Sequence, residues 1–168
     1  MLFRSGTISV KSAINAGSTF SFELSFQKTT TKLLVETGFI LNEEKILNLK
    51  VLVVEDVKLN QLLMRTILDD FNFEWEMADN GQIALDKLKT NTYDIILMDL
   101  QMPVMNGFEA TKYIRNEMKL TIPIIALTAD VTSVDFEKCK EAGMNDYISK
   151  PLDEKILFGK IVELIKFK

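Results

Sequence analysis

From residue 50 onward the chain alternates between two patterns of apolar and polar positions. Short apolar runs bounded by turn residues are separated by stretches in which apolar residues recur every three or four positions. The runs Lys50–Val54, Phe73–Ala78, Asp94–Met98, Pro123–Leu127 and Asp146–Ser149 are predicted strands. The first, third and fourth are continuously apolar, as strands buried on both faces require. Between strands, Leu59, Leu62, Leu63 and Ile67 share one helical face, and so do Leu157, Ile161, Leu164 and Ile165. Both sets are predicted to face the core. Gly143 stands where a glycine would end the fourth helix before the last strand. Five strand–helix alternations with short loops predict an α/β domain over residues 50–168, a parallel sheet covered on both faces.

Residues 1–28 follow a period of two. Ile8 and Val10 alternate with polar neighbours, as do Phe20, Phe22, Leu24 and Phe26, and Asn15-Ala16-Gly17-Ser18 lies between the two runs. This predicts a β-hairpin extension with one apolar face. A lone hairpin is marginal in water, so that face needs a partner surface. Residues 29–49, a threonine run followed by weak helical periodicity (Ile40, Leu41, Ile46, Leu47, Leu49), read as a linker with a short helix near its end.

Composition narrows the function classes. A net charge of −4 and a pI near 5.0 argue against a nucleic-acid surface. No apolar run approaches the roughly 18 residues of a membrane span, and the N-terminus lacks the apolar core of a signal peptide. The expectation is a cytoplasmic chain without membrane contact of its own, although its parent protein is allowed a membrane anchor. One cysteine excludes an internal disulfide and a thiolate zinc site. The absence of histidine excludes a Ser-His-Asp triad, a histidine base and a phosphohistidine on this chain. Any metal must be held by oxygen, which favours Mg²⁺, Mn²⁺ or Ca²⁺.

The candidate chemistry sits where the predicted strands end. Glu55-Asp56 follows Val51–Val54, Asp99 follows Asp94–Met98, Thr128 follows Pro123–Leu127, and Lys150-Pro151 follows Tyr147–Ser149. In a parallel α/β sheet these ends share one edge, where ligands bind. Each residue also has an ordinary use. Asp56 could cap the next helix, and Asp99 could be a turn residue before Pro103 and Gly107. Thr128 could cap a segment near Ala129, Lys150 could be a solvated lysine, Tyr147 a strand residue and Cys139 a small core residue. Jointly, three acids, a hydroxyl and an ammonium suit a divalent cation and a phosphoryl group.

Four stretches carry a family resemblance: Val53-Val54-Glu55-Asp56 with Asn60, the segment Ile96 to Gly107, Ala126-Leu127-Thr128-Ala129, and Ala142 to Pro151. In this order and at these intervals they resemble the receiver domain of two-component response regulators. The resemblance implies the flavodoxin-like fold with strand order 2-1-3-4-5. It also implies that Asp99 is the phosphoacceptor, and that Asp56, Asp99 and the Gln101 backbone carbonyl hold Mg²⁺ (Mn²⁺ as substitute), with Glu55 acting through a metal-bound water. Lys150 and Thr128 would bind the phosphoryl group. Thr128 and Tyr147 would form a switch, and Pro151 would follow a cis peptide that aims Lys150 into the site. The family commonly has Asp where Glu55 stands, a tolerated departure. A phosphatase with an aspartyl nucleophile usually needs a second Asp two residues later, where this chain has Gln101, which cannot protonate a leaving group.

Residues 5–26 resemble the last strand pair of a histidine-kinase ATP-binding domain. That implies a hybrid histidine kinase as parent, with a phosphohistidine domain as donor and a histidine phosphotransfer protein as onward partner. The ATP-holding boxes are missing, so this chain is not expected to bind ATP. A stand-alone response regulator and a vestigial interaction module are the rival readings, and a dimer through the hairpin or the receiver surface is compatible with each.

Overall fold

The computed structural model describes residues 6–13, 17–24, 49–129 and 133–166. The chain divides into two units, Met1–Phe39 and Ile40–Lys168. In the first, β1 (Gly6–Ala13) pairs antiparallel with β2 (Gly17–Leu24), with Ile8 opposite Phe22 and Val10 opposite Phe20. Val10 and Phe20 are exposed. Of the expected turn, Gly17 has φ +83, a conformation suited to glycine. The turn residues 14–16, the hairpin's Phe26 and the helix expected near residues 40–48 lie outside the described residues.

The second unit is built from β3 (Lys50–Val54), α1 (Lys58–Asp70), β4 (Glu74–Ala78), α2 (Gly81–Thr90), β5 (Ile95–Asp99), α3 (Gly107–Asn116), β6 (Ile124–Thr128), α4 (Ser133–Ala142), β7 (Asp146–Ser149) and α5 (Glu154–Lys166). The sheet is parallel, in the order β4-β3-β5-β6-β7, which is the expected 2-1-3-4-5 flavodoxin-like arrangement. Alternate residues of the central strands feed two cores. Leu52, Val54, Ile96, Met98, Ile124 and Ala126 pack under α2, α3 and α4. Val51, Val53, Ile95, Leu97, Ile125 and Leu127 pack under α1 and α5. Leu49 joins the second core, so packing begins one residue before β3.

The α1 core face is only partly the expected one. Ile67 is buried as expected, together with Met64 and Leu68, whereas Leu59, Leu62 and Leu63 are 73%, 57% and 46% exposed. The helix carries two apolar stripes, and periodicity alone does not choose between them. In α5, Leu157 and Ile161 are buried as expected. Gly143 ends α4 with φ +96. The Arg115 guanidinium clamps this corner, donating to the carbonyls of Gly143, Leu120 and Ile122 and to Asn145 Oδ1.

β4 is an edge strand, and its Glu76 is held by Lys50 Nζ at 2.9 Å and Lys87 Nζ at 2.7 Å. Hydrogen bonds from Lys87 and then Lys50, opposed by burial, bring its carboxyl down to a pKa of about 2. A depressed carboxyl pKa stabilises the fold fully above the unfolded value and loses that stabilisation as pH falls through the folded one. Glu76→Gln is therefore expected to cost about 1 kcal/mol near neutral pH, the scale of a well-formed but partly solvated pair. In urea unfolding the gap to the parent should shrink by more than half near about pH 3. A gap that is constant with pH would assign the loss to packing instead.

Candidate functional site

The carboxyl ends of β3, β5, β6 and β7 open onto one edge of the sheet. Glu55 and Asp56 leave β3 directly, and Lys150 leaves β7 directly. Asp99 and Thr128 are the last residues of β5 and β6, one residue further into the strands than the apolar runs suggested. The ladder places Asp99 beside Leu127 and Thr128 beside Ser149. The Lys150 N–H donates to the Thr128 carbonyl at 2.7 Å, fixing the exit of β7 against β6. The Lys150–Pro151 peptide is cis.

These exits bring one carboxylate oxygen each of Glu55, Asp56 and Asp99 within 4.8 Å of one another. Glu55 and Asp99 are buried and Asp56 is half-buried. The Lys150 ammonium donates at 2.6 Å to Glu55 Oε2 and at 2.6 Å to Asp99 Oδ2. Glu55 Oε1 accepts from the Val57 N–H and from Asn60 Nδ2, and Asp99 Oδ1 accepts from the Gln101 N–H. Two buried carboxylates thus share one ammonium, and their other bonds separate them. Burial raises the Asp99 carboxyl above the usual range, against the pull of Lys150 and the Gln101 N–H and with the Glu55 charge adding to the rise. Burial also opposes ionisation of Glu55, but the bonds from Lys150, Asn60 and Val57 together bring its pKa below the ordinary value. Lys150 is raised, its desolvation outweighed by the bonds to Asp99 and Glu55.

Ordinary uses account for Cys139, for Tyr147 and for the Asp99 turn bond to the Gln101 N–H, but not for Asp56, Thr128 or Lys150. The N-cap of α1 is Val57, which makes no side-chain cap bond, so Asp56 does not cap it. The α3 cap is Asn106, in a reciprocal box with Glu109. Thr128 is buried and lies five residues before the start of α4. Lys150 is 21% exposed and bound to two acids, unlike a solvated lysine. Cys139 is a buried core residue on α4. Tyr147 is half-buried on β7, and Lys160 sits 5.6 Å from its ring centroid while pairing with Asp146 at 2.6 Å.

Sequence reasoning passed over three neighbours. Asp79 directly follows β4, so the rule that selected Glu55 and Lys150 would have found it; Lys58 Nζ and Gln61 Nε2 donate to it at 2.8 and 2.7 Å. Gln61 Nε2 also donates to the Glu55 carbonyl. Val104, in the loop after Asp99, has φ +69 and is 84% exposed, at the centre of a three-residue turn closed by the Met105 N–H on the Pro103 carbonyl. A β-branched residue in that conformation is strained, which is common beside functional sites.

Chemically, three clustered carboxylates repel one another unless a cation joins them. An all-oxygen donor set of this kind fits a hard divalent ion such as Mg²⁺, which would neutralise charge on a transferring phosphoryl group. Asp99 sets a carboxylate oxygen 2.6 Å from the Lys150 ammonium at the same edge, an arrangement whose charges complement a phosphoryl group.

The profile of the response regulator receiver domain family matches residues 51–162. Hybrid signal transduction histidine kinase M of Dictyostelium discoideum is 41% identical over 121 aligned positions, 68% of this chain and 5% of that protein. The autoinducer 2 sensor kinase/phosphatase LuxQ of Vibrio vulnificus is 38% identical over 170 aligned positions, 97% of this chain and 19% of that protein. The chain therefore spans less than a fifth of these relatives. Among solved structures, the receiver domain of the sensor histidine kinase PA1611 from Pseudomonas aeruginosa, with magnesium in its active site cleft, is 36% identical at a TM-score of 0.66, over 71% of this chain and 98% of that one. The receiver domain of Ssk1, crystallised with the histidine phosphotransfer protein Ypd1 of Saccharomyces cerevisiae, is represented by a match of 35% identity and TM-score 0.67, over 71% and 90% of the two chains. Among the described residues no helix is long and apolar enough to cross a membrane. Both the matched span, which holds the parallel sheet except for Lys50 and all the clustered acids, and the order of its strands lead to one assignment: this chain belongs to the response regulator receiver domain family.

Proposed function

We propose that the chain is the receiver segment of a hybrid sensor histidine kinase and an intermediate in a phosphorelay. Asp99 takes a phosphoryl group from a phosphohistidine and passes it to a histidine phosphotransfer protein. The observation that carries this reading is the convergence of Glu55, Asp56 and Asp99 with Lys150 on both buried acids. An Asp99 oxygen forms the bond to phosphorus as the P–N bond breaks, and the imidazole nitrogen keeps the electron pair. Mg²⁺ or Mn²⁺, held by Asp56, Asp99 and the Gln101 carbonyl with Glu55 behind, would offset the negative charge of the phosphoryl oxygens. Lys150 and Thr128 would bind those oxygens, and Tyr147 would respond to movement of Thr128. An unchanged Tyr147 environment on beryllofluoride binding would contradict that switch.

The LuxQ alignment runs through the hairpin and residues 29–49 as well as the receiver. This supports residues 1–28 as the end of a kinase ATP-binding domain, 29–49 as the linker and 50–168 as the receiver. The exposed stripe of α1 supports a protein partner. Val57, Leu59, Leu62 and Leu63 are 46% to 73% exposed on the helix that starts beside Glu55 and Asp56. An apolar helix face beside a phosphoacceptor suits a helical phosphotransfer partner. Leu62→Asp is expected to slow transfer from a phosphorylated phosphotransfer protein by about tenfold or more, the scale of losing an interface anchor. Labelling by acetyl phosphate, which needs no docking, should stay at the parent rate. Rapid quench with both donors tests this. Equal rates for parent and variant with the protein donor would remove α1 from the interface.

A further inference from the structure

We infer that Asn60 is a positioning residue for the divalent cation site, acting through Glu55. The inference rests on the cation reading above and extends it to a residue outside the proposed ligand set, bonded to Glu55. Glu55 is 2% exposed, and its two carboxylate oxygens are used differently. Oε1 accepts from Asn60 Nδ2 at 2.9 Å and from the Val57 N–H at 3.2 Å, whereas Oε2 faces the Lys150 ammonium at 2.6 Å. Asn60 is the third residue of α1, so its amide is carried by the helix and not by a loop. The next residue, Gln61, holds the Glu55 backbone carbonyl, and the Glu55 N–H donates to the Ala78 carbonyl at 3.0 Å.

Glutamate has one more rotatable bond than aspartate and needs an anchor that aspartate does not. With Oε1 held by Asn60, the carboxylate plane is set, and Oε2 is aimed at the ammonium and the neighbouring acids. Without Asn60, a single backbone N–H at 3.2 Å would hold Oε1, and the carboxylate plane would be set mainly by Lys150 at the other oxygen. Groups that orient a metal-binding carboxylate typically contribute 10- to 100-fold to affinity. A purely structural asparagine, present only to satisfy a buried acid, would change stability and leave cation affinity alone.

The test is Mg²⁺ affinity measured by calorimetry on the full chain. Asn60→Leu keeps the side-chain size, improves helix propensity and removes the donor; Asn60→Ala is the second variant should the first fold poorly. Each is measured alone and combined with Glu55→Gln. The expected result is a dissociation constant raised about tenfold in the parent background. In the Glu55→Gln background, where the charge being oriented is gone, the same change should stay within about twofold, because the two residues act as one unit. A change within about twofold in the parent background would overturn the role of Asn60. So would an equal loss in both backgrounds. Absence of Mg²⁺ binding by the unaltered chain would overturn the cation reading itself, and with it this inference.

Discussion

Asp99→Asn is expected to lose phosphoryl uptake from acetyl phosphate in Mg²⁺, by at least about a thousandfold, as for removal of a covalent nucleophile. Asp99 closes β5 in the cluster with Glu55 and Asp56, one oxygen on the Gln101 N–H and the other on Lys150. The carboxamide keeps the shape and loses the charge and the attacking oxygen. Intact mass after incubation should show one added phosphoryl group in the parent and none in the variant. Equal labelling of parent and variant would place the acceptor elsewhere and remove the main support for the phosphorelay reading.

Where apolar runs were continuous, the pattern located β3, β5 and β6 to within a residue, because strands buried on both faces leave a signal that no helix face mimics. The one-residue extension of β5 and β6 through Asp99 and Thr128 was hidden by side-chain polarity, which does not mark the end of the ladder here. The α1 face was misjudged for a different reason. Leu59, Leu62 and Leu63 and the buried set Met64, Ile67 and Leu68 are both spaced for a helix, and only packing against the sheet distinguishes them. The clustered acids and Lys150 were readable because strand ends share an edge. Asn60 entered only as part of the family motif and Gln61 not at all, because their roles depend on which loop meets which helix turn, whereas Asp79 was legible as a strand-end residue and was passed over.

Gly107→Ala is expected to be the most damaging substitution outside the acids. In the structure a Cβ at Gly107 would overlap the Asp99 carbonyl oxygen and lie 3.0 Å from the Asp99 carbonyl carbon and from Met98 Cγ. The colliding atoms are mostly backbone, so no rotamer change relieves the contact. Gly107 opens α3, and its N–H donates to the Leu100 carbonyl at 3.2 Å, so the helix start is tied to the strand it would strike. Either α3 lifts away from the core containing Ala110 and Ile114, or the end of β5 shifts and takes Asp99 with it. The expected cost is about 3 kcal/mol or more, at the upper end of overpacking. In a domain of this size that lowers the midpoint of thermal unfolding by roughly 10 °C or more. Gly159→Ala is the matched control. Its Cβ meets nothing within 4 Å, and it lies inside α5. There alanine should stabilise by up to about 1 kcal/mol through helix propensity. If Gly107→Ala unfolds at the parent midpoint, the close approach of α3 to β5 is wrong. If it melts early but still takes up phosphate at the parent rate in the cold, α3 has moved and β5 has stayed, and the position of Asp99 is set by the sheet alone.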